Sequence, residues 1–253
     1  MMVEIWAGIA TLIATAILTI AGVGAAFILI PVYLFLGVDL LTAMSTALLL
    51  NAIAMVFASA TYAREKLILW RIALPIIIIA AILSPIGAYT SVLVPKTTLL
   101  ILFIGFLLFA ATMMLFYKPK NTMTDKDIQN LKPAKVLGVG GAFGGVAGFV
   151  GGLLGVGGGN IILPGLVWLG IPPKKASATT AFIVIFSSFA GFLGRASVSN
   201  LNLNLLILTA AGSIGGALIG SWLMSKKLEN KQVKTVIGII LYLIALKMII
   251  DMI

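Results

Sequence analysis

The chain has 253 residues, of which 61% are apolar and 9% charged, and its net charge is +10. Soluble domains average about 25% charged and 45–50% apolar residues, so this composition excludes an ordinary soluble fold. The absence of cysteine and histidine excludes disulfides, most metal sites and the Ser–His and Cys–His nucleophiles, and argues against an enzyme. Apolar runs of membrane-spanning length recur from end to end, which predicts an all-α polytopic membrane protein. A β-barrel would show short alternating strands instead. The basic residues stand in short loops between the runs. They fit a positive-inside topology and contact with the lipid bilayer rather than with nucleic acid.

Segment 1 covers residues 3–37. It contains Glu4 and no Lys or Arg, since the first basic residue is Arg64, so it reads as part of the mature protein rather than a signal peptide. Segments 2, 3 and 4 cover residues 40–63, 67–94 and 97–117, with Pro75 and Pro85 expected to bend the third. A polar linker, residues 118–135, follows, with one turn of surface helix expected to start at Thr124. Segment 1′, residues 138–170, holds 14 of the 27 glycines. Segments 2′, 3′ and 4′ are residues 175–194, 203–225 and 233–253. The domain boundaries expected are therefore a first transmembrane repeat at 1–117, the linker at 118–135, and a second repeat at 136–253.

The two halves repeat at an offset of 133 residues, which relates Gly24 to Gly157, Gly37 to Gly170, Ala43 to Ala176, Thr46 to Thr179, Gly87 to Gly220 and Gly105 to Gly238. One offset across all the segments indicates internal duplication. Charge then orients them. If every segment crosses once, the 17 Lys and Arg split 10 to 7; if segments 1 and 1′ each enter and return on one side, the split is 14 to 3. The positive-inside rule favours the second arrangement, with two inverted repeats, each a glycine-broken helical hairpin plus three spanning helices. Lys66, Asn121, Lys174 and Lys227 then share the cytoplasmic face, and Lys96 and Asn200 lie opposite.

Segment 1′ also carries the candidate site. Gly144, Gly148 and Gly152 recur every fourth residue, as do Gly151, Gly155 and Gly159, a spacing that lets another helix come close. The run Gly157-Gly158-Gly159 goes beyond packing. With Asn160 as an expected N-cap and Pro164 in the next turn, it predicts a break and a new half-helix over residues 160–170. The unpaired amides and partial positive charge of a half-helix N-terminus favour an anion. The seven Asp and Glu all map to loops or chain ends, so no intramembrane carboxylate is available for ion coupling. The candidate substrate-binding residues are Gly157, Gly158, Gly159, Asn160, Thr179 and Thr180 from the second half and Gly24, Ser45, Thr46 and Asn51 from the first. The hydroxyls have an alternative role, bonding their own i−4 carbonyls. Arg64 and Arg195 could meet substrate at the two mouths, but loop charge is the favoured reading of both. No cofactor is called for, and self-association stays open.

The stretch GGLLGVGGGNIILPGLVWLG (151–170) followed by Ala176-Ser177-Ala178-Thr179, with its weaker echo at residues 22–37 and Ala43-Met44-Ser45-Thr46, resembles the sulfite exporter TauE/SafE family of small membrane transporters. The resemblance covers essentially the whole chain. It implies a cell-membrane transporter of sulfite, sulfonates or related organosulfur anions. The first copy departs from the pattern, with Ala25-Ala26-Phe27 where the second has Gly158-Gly159-Asn160, so the second half is expected to carry more of the binding. A passive anion channel and a non-transporting scaffold are the alternatives.

Overall fold

The computed structural model describes residues 2–35, 37–116, 123–195 and 203–250. Its elements are α1 (Met2–Ala21), α2 (Ala26–Phe35), α3 (Leu40–Arg64), α4 (Trp70–Thr90), α5 (Lys96–Phe116), α6 (Asp125–Gln129), α7 (Pro133–Leu154), α8 (Gly159–Trp168), α9 (Pro173–Arg195), α10 (Leu203–Trp222) and α11 (Asn230–Ile250). Among the described residues, six helices are long and apolar enough to cross a membrane. Leu74, Ile78, Ile82 and Ile86 form an exposed row along α4, while Ala73, Ile76, Ala80, Ser84 and Gly87 face inward. Large apolar side chains outside and mostly small ones inside suit a lipid-facing helix, because association in lipid rests on close packing.

The expected segments appear, and so do the breaks expected in them. Segments 1 and 1′ each divide in two, into α1 with α2 and α7 with α8. The expected linker turn is α6, capped by the Thr124 hydroxyl with Asp127 completing the capping box. Pro75 and Pro85 both lie inside α4, which continues as helix through them. Asn121 and Asn200, assigned to opposite faces, lie outside the described residues.

The offset of 133 persists in three dimensions. Added to α2 it gives the bounds of α8, and it carries the first residues of α3 and α4 onto those of α9 and α10. Contacts are exchanged across the halves as well. Gly87 of α4 lies flat on the Phe149 carbonyl of α7; Gly220 of α10 lies on the Ala16 carbonyl of α1. Residues 87 and 220 correspond, and so do 16 and 149.

Direction follows from the glycine contacts. Gly144, Gly148 and Gly152 meet Ile76, Ala80 and Ser84 in turn, so α7 and α4 run parallel; Gly212, Gly216 and Gly220 meet Gly8, Leu12 and Ala16, so α10 and α1 do too. In contrast, Asn51 pairs with Ser188 and Leu48 with Gly191, so α3 and α9 are antiparallel. The half-helix α8 doubles back along α7, with Gly158 against Ala147 and Gly165 against the Phe143 ring. Three contacts gather the basic loops at one end of the bundle: Lys226 with Glu65 at 3.3 Å, Lys174 Nζ to the Ser225 carbonyl at 3.0 Å, and the Met123 amide to the Gly170 carbonyl at 2.8 Å.

Candidate functional site: two helix breaks meeting at Asn51

At the end of α7 the Val156 amide turns back to the Gly151 carbonyl, 2.9 Å away, around Gly155 at φ +72°. A left-handed residue at this place closes a helix, and glycine takes it without steric cost. Gly157 and Gly158, at φ +74° and +75°, then reverse the chain. The Gly158 carbonyl accepts from the amides of Ile161 and Ile162 at 3.0 and 3.2 Å and starts α8. The N-cap of α8 is therefore Gly158, not Asn160. The expected cap falls two residues too late because the left-handed glycine itself places the first carbonyl. Asn160 enters the first helical turn, 1% exposed, with both side-chain polar atoms buried and unpartnered among the described residues.

The first copy keeps this backbone despite its altered sequence. Gly22 and Gly24 stand at φ +68° and +75°, as Gly155 and Gly157 do. The Ala25 carbonyl accepts from Ile28 and Leu29, both at 3.0 Å, just as Gly158 does from Ile161 and Ile162. Ala25 needs no positive φ, so alanine suffices there.

The two breaks meet. Gly24 packs directly on the Asn51 carboxamide, and a methyl group at Gly157 would overlap the Ser188 hydroxyl and stand 3.2 Å from Asn51 Nδ2. At Gly159 it would stand 2.9 Å from Val23 Cα. Asn51 donates through Nδ2 to Ser188 Oγ at 3.0 Å, while its Oδ1, buried on the Gly24 side, has no partner among the described residues. Ser187 donates to the Gly157 carbonyl at 2.6 Å. Gly151, Gly155 and Gly159, which share the fourfold spacing of a packing face, thus serve the break, whereas Gly144, Gly148 and Gly152 serve the α4 contact.

The structure brings Gly24, Asn51, Gly157, Gly158, Gly159 and Asn160 together, and it separates the hydroxyls by role. Thr46 bonds its own i−4 carbonyl at 2.8 Å, and Thr179 accepts the Leu69 amide at 3.0 Å. Ser45 and Thr180 are completely buried, and the Thr180 hydroxyl has no partner among the described residues. Sequence reasoning named Arg195 but favoured the wrong place for it. Far from being loop charge, it is 0% exposed at the end of α9, with Nη2 donating to the carbonyls of Gly152 and Leu153 at 2.7 and 2.9 Å. No Asp or Glu is buried among the described residues, and no group of side chains suited to hold a metal occurs among them. Among the described residues the inventory is one of neutral donors, helix-end amides and a single buried cation.

An apolar bundle with two interrupted helices, whose short arms begin side by side in its interior, is the build of a polytopic membrane transporter. The chain belongs to the sulfite exporter TauE/SafE family, whose sequence profile matches residues 7–248. It is 27% identical, over 94% of each chain, to a protein of Bacillus subtilis (strain 168) described as "Probable membrane transporter protein YunE". No solved structure matches it.

Proposed function

We propose that the protein moves small oxidised-sulfur anions, sulfite or organosulfonates, across the cell membrane by alternating access, and that it works as an exporter. The observation that carries this reading is the meeting of the α2 and α8 N-termini around Asn51. Each start contributes amides without an intrahelical acceptor and part of a positive helix dipole. Together with the Asn51 and Asn160 amides they suit a compact anion, and no acidic side chain among the described residues is buried beside them to repel it. Gly157, Gly158, Gly159 and Asn160 with Gly24 and Asn51 form the proposed site.

The two halves act as inverted repeats in this reading. The exchanged contacts Gly87–Phe149 and Gly220–Ala16, together with antiparallel α3 and α9, support a two-fold axis lying in the membrane plane. Rocking one half against the other would then open the site to each side in turn. The basic end that joins Glu65, Met123, Lys174 and Lys226 is assigned to the cytoplasm, because lysine-rich loops stay there. The test is flux in proteoliposomes against a panel of sulfite, sulfonates, thiosulfate, sulfate and carboxylates. Saturable movement of the sulfur anions supports the proposal. Carriage of carboxylates alone would reassign the substrate, and carriage of none would remove the transport reading.

A further inference from the structure

Arg195 is buried completely, yet it lacks the partner that usually accompanies a buried cation. Its Nε and Nη2 donate to Ser91 Oγ at 3.2 and 2.8 Å, and Nη2 also reaches the carbonyls of Gly152 and Leu153. No acidic side chain of the described residues pairs with it, and Nη1 has no hydrogen-bond partner among them. Nη1 points to the α7–α8 break. It lies 3.4 Å from the position a Gly155 Cβ would take.

Capping α7 does not require the charge. The residue 133 positions before Arg195 is Tyr62, also 0% exposed, whose hydroxyl donates to the Thr19 carbonyl at 2.7 Å. Thr19 in turn lies 133 positions before Gly152. The same end carbonyl of the corresponding broken helix is thus closed by a neutral phenol in one half and by a guanidinium in the other. A buried, unpaired charge in a membrane bundle is costly, and one that persists commonly marks a ligand or ion pathway.

We propose that Arg195 is an anion-binding residue. Its Nη1 takes an oxygen of the travelling oxyanion beside Gly155, on the side of the α7–α8 break remote from the linker, before or after the anion rests at the amides around Asn51. The charge that burial leaves without a counter-ion is balanced by the substrate itself. This inference rests on the transport reading and names the group that supplies its positive charge.

The experiment uses the full chain in proteoliposomes, with sulfite as the probe, and compares Arg195→Tyr and Arg195→Gln with the unaltered protein. Tyrosine is the residue the first half already uses to close the same carbonyl, and glutamine keeps an N–H donor for it, so either neutral variant suffices if the other fails to fold. The KM for sulfite should rise about ten- to a hundred-fold, the loss expected for one charge-assisted hydrogen bond. Sulfite should also lose its power to raise the melting temperature of the detergent-purified variants. Arg64→Gln, which removes an exposed charge of the loop end, should leave KM unchanged. An unchanged KM in a folded Arg195→Tyr or Arg195→Gln protein would overturn the assignment while leaving transport intact. No sulfite flux through the unaltered protein would instead overturn the transport reading.

Discussion

A single asparagine at the crossing of two chain reversals is a small feature, and it makes sharp demands on its neighbours. Asn51 is 0% exposed and uses one amide hydrogen on Ser188, leaving an oxygen and a hydrogen for something else. Asn51→Ala should therefore weaken sulfite binding about five- to thirty-fold, the equivalent of about 1–2 kcal/mol for one or two lost hydrogen bonds. Titration of the purified protein by calorimetry measures this directly, and unchanged affinity would place the anion elsewhere. Gly158 tests the backbone. At φ +75°, with the Ala147 carbonyl against its open face, a valine would be both strained and obstructed. Gly158→Val and Asn160→Ala should each abolish or severely slow flux in protein that still reaches the membrane. Normal transport by both would reduce the glycine run to a packing device.

At the scale of elements, the repeat period and the broken helices were legible because glycine and proline leave marks that survive without contacts. The offset of 133 in the sequence is the offset between α2 and α8. The glycine triplet marks the start of α8 to within one residue of the expected Asn160. Two things were hidden. A hydroxyl in a helix reads the same whether it bonds its own turn, as Thr46 does, or another element, as Thr179 does. Arg195 looked like loop charge because its burial depends on carbonyls exposed only when α7 stops nearby. The first turn of α3 offers a prediction at this scale. The Thr42 hydroxyl and amide bond the Asp39 carboxylate, the amide at 3.0 Å, and hold its pKa below the usual carboxylate value. A lowered pKa means stabilisation that is present above about pH 4 and lost as pH falls through the depressed value. Asp39→Ala should speed amide exchange at the start of α3 near neutral pH, and the difference from the unaltered chain should vanish in strong acid. Topology is tested on the same elements. Single cysteines replacing Lys66, Lys174 and Lys227 should all react with an impermeant thiol reagent from the cytoplasmic side. Labelling of position 174 from outside while 66 is protected would separate ends that the Glu65–Lys226 and Lys174–Ser225 contacts join.

For the whole molecule, the decisive quantity is charge. The bundle carries one completely buried cation, Arg195, and no buried Asp or Glu among the described residues. Cation-coupled carriers commonly hold their Na⁺ or H⁺ inside the membrane with an acidic side chain. Coupling should therefore come from the anion gradient and the membrane potential, or from a proton that travels on the anion. Desolvation decides which form of the anion moves. The cost of burying an ion rises steeply with its charge, and each charge-assisted hydrogen bond returns only about 1.5–3 kcal/mol. Helix-end amides, two asparagines and one guanidinium can balance a single negative charge far more readily than two. The unpartnered Asn51 Oδ1 fits this choice, since it is an acceptor with no use for a bare oxyanion but a ready partner for a protonated one. Sulfite flux measured over a pH series at fixed total concentration should follow the singly charged form, and it should not depend on Na⁺. Flux that rises with the dianion, or that stops when Na⁺ is withdrawn, would show that the bundle neutralises charge by a route other than Arg195 and the two helix breaks.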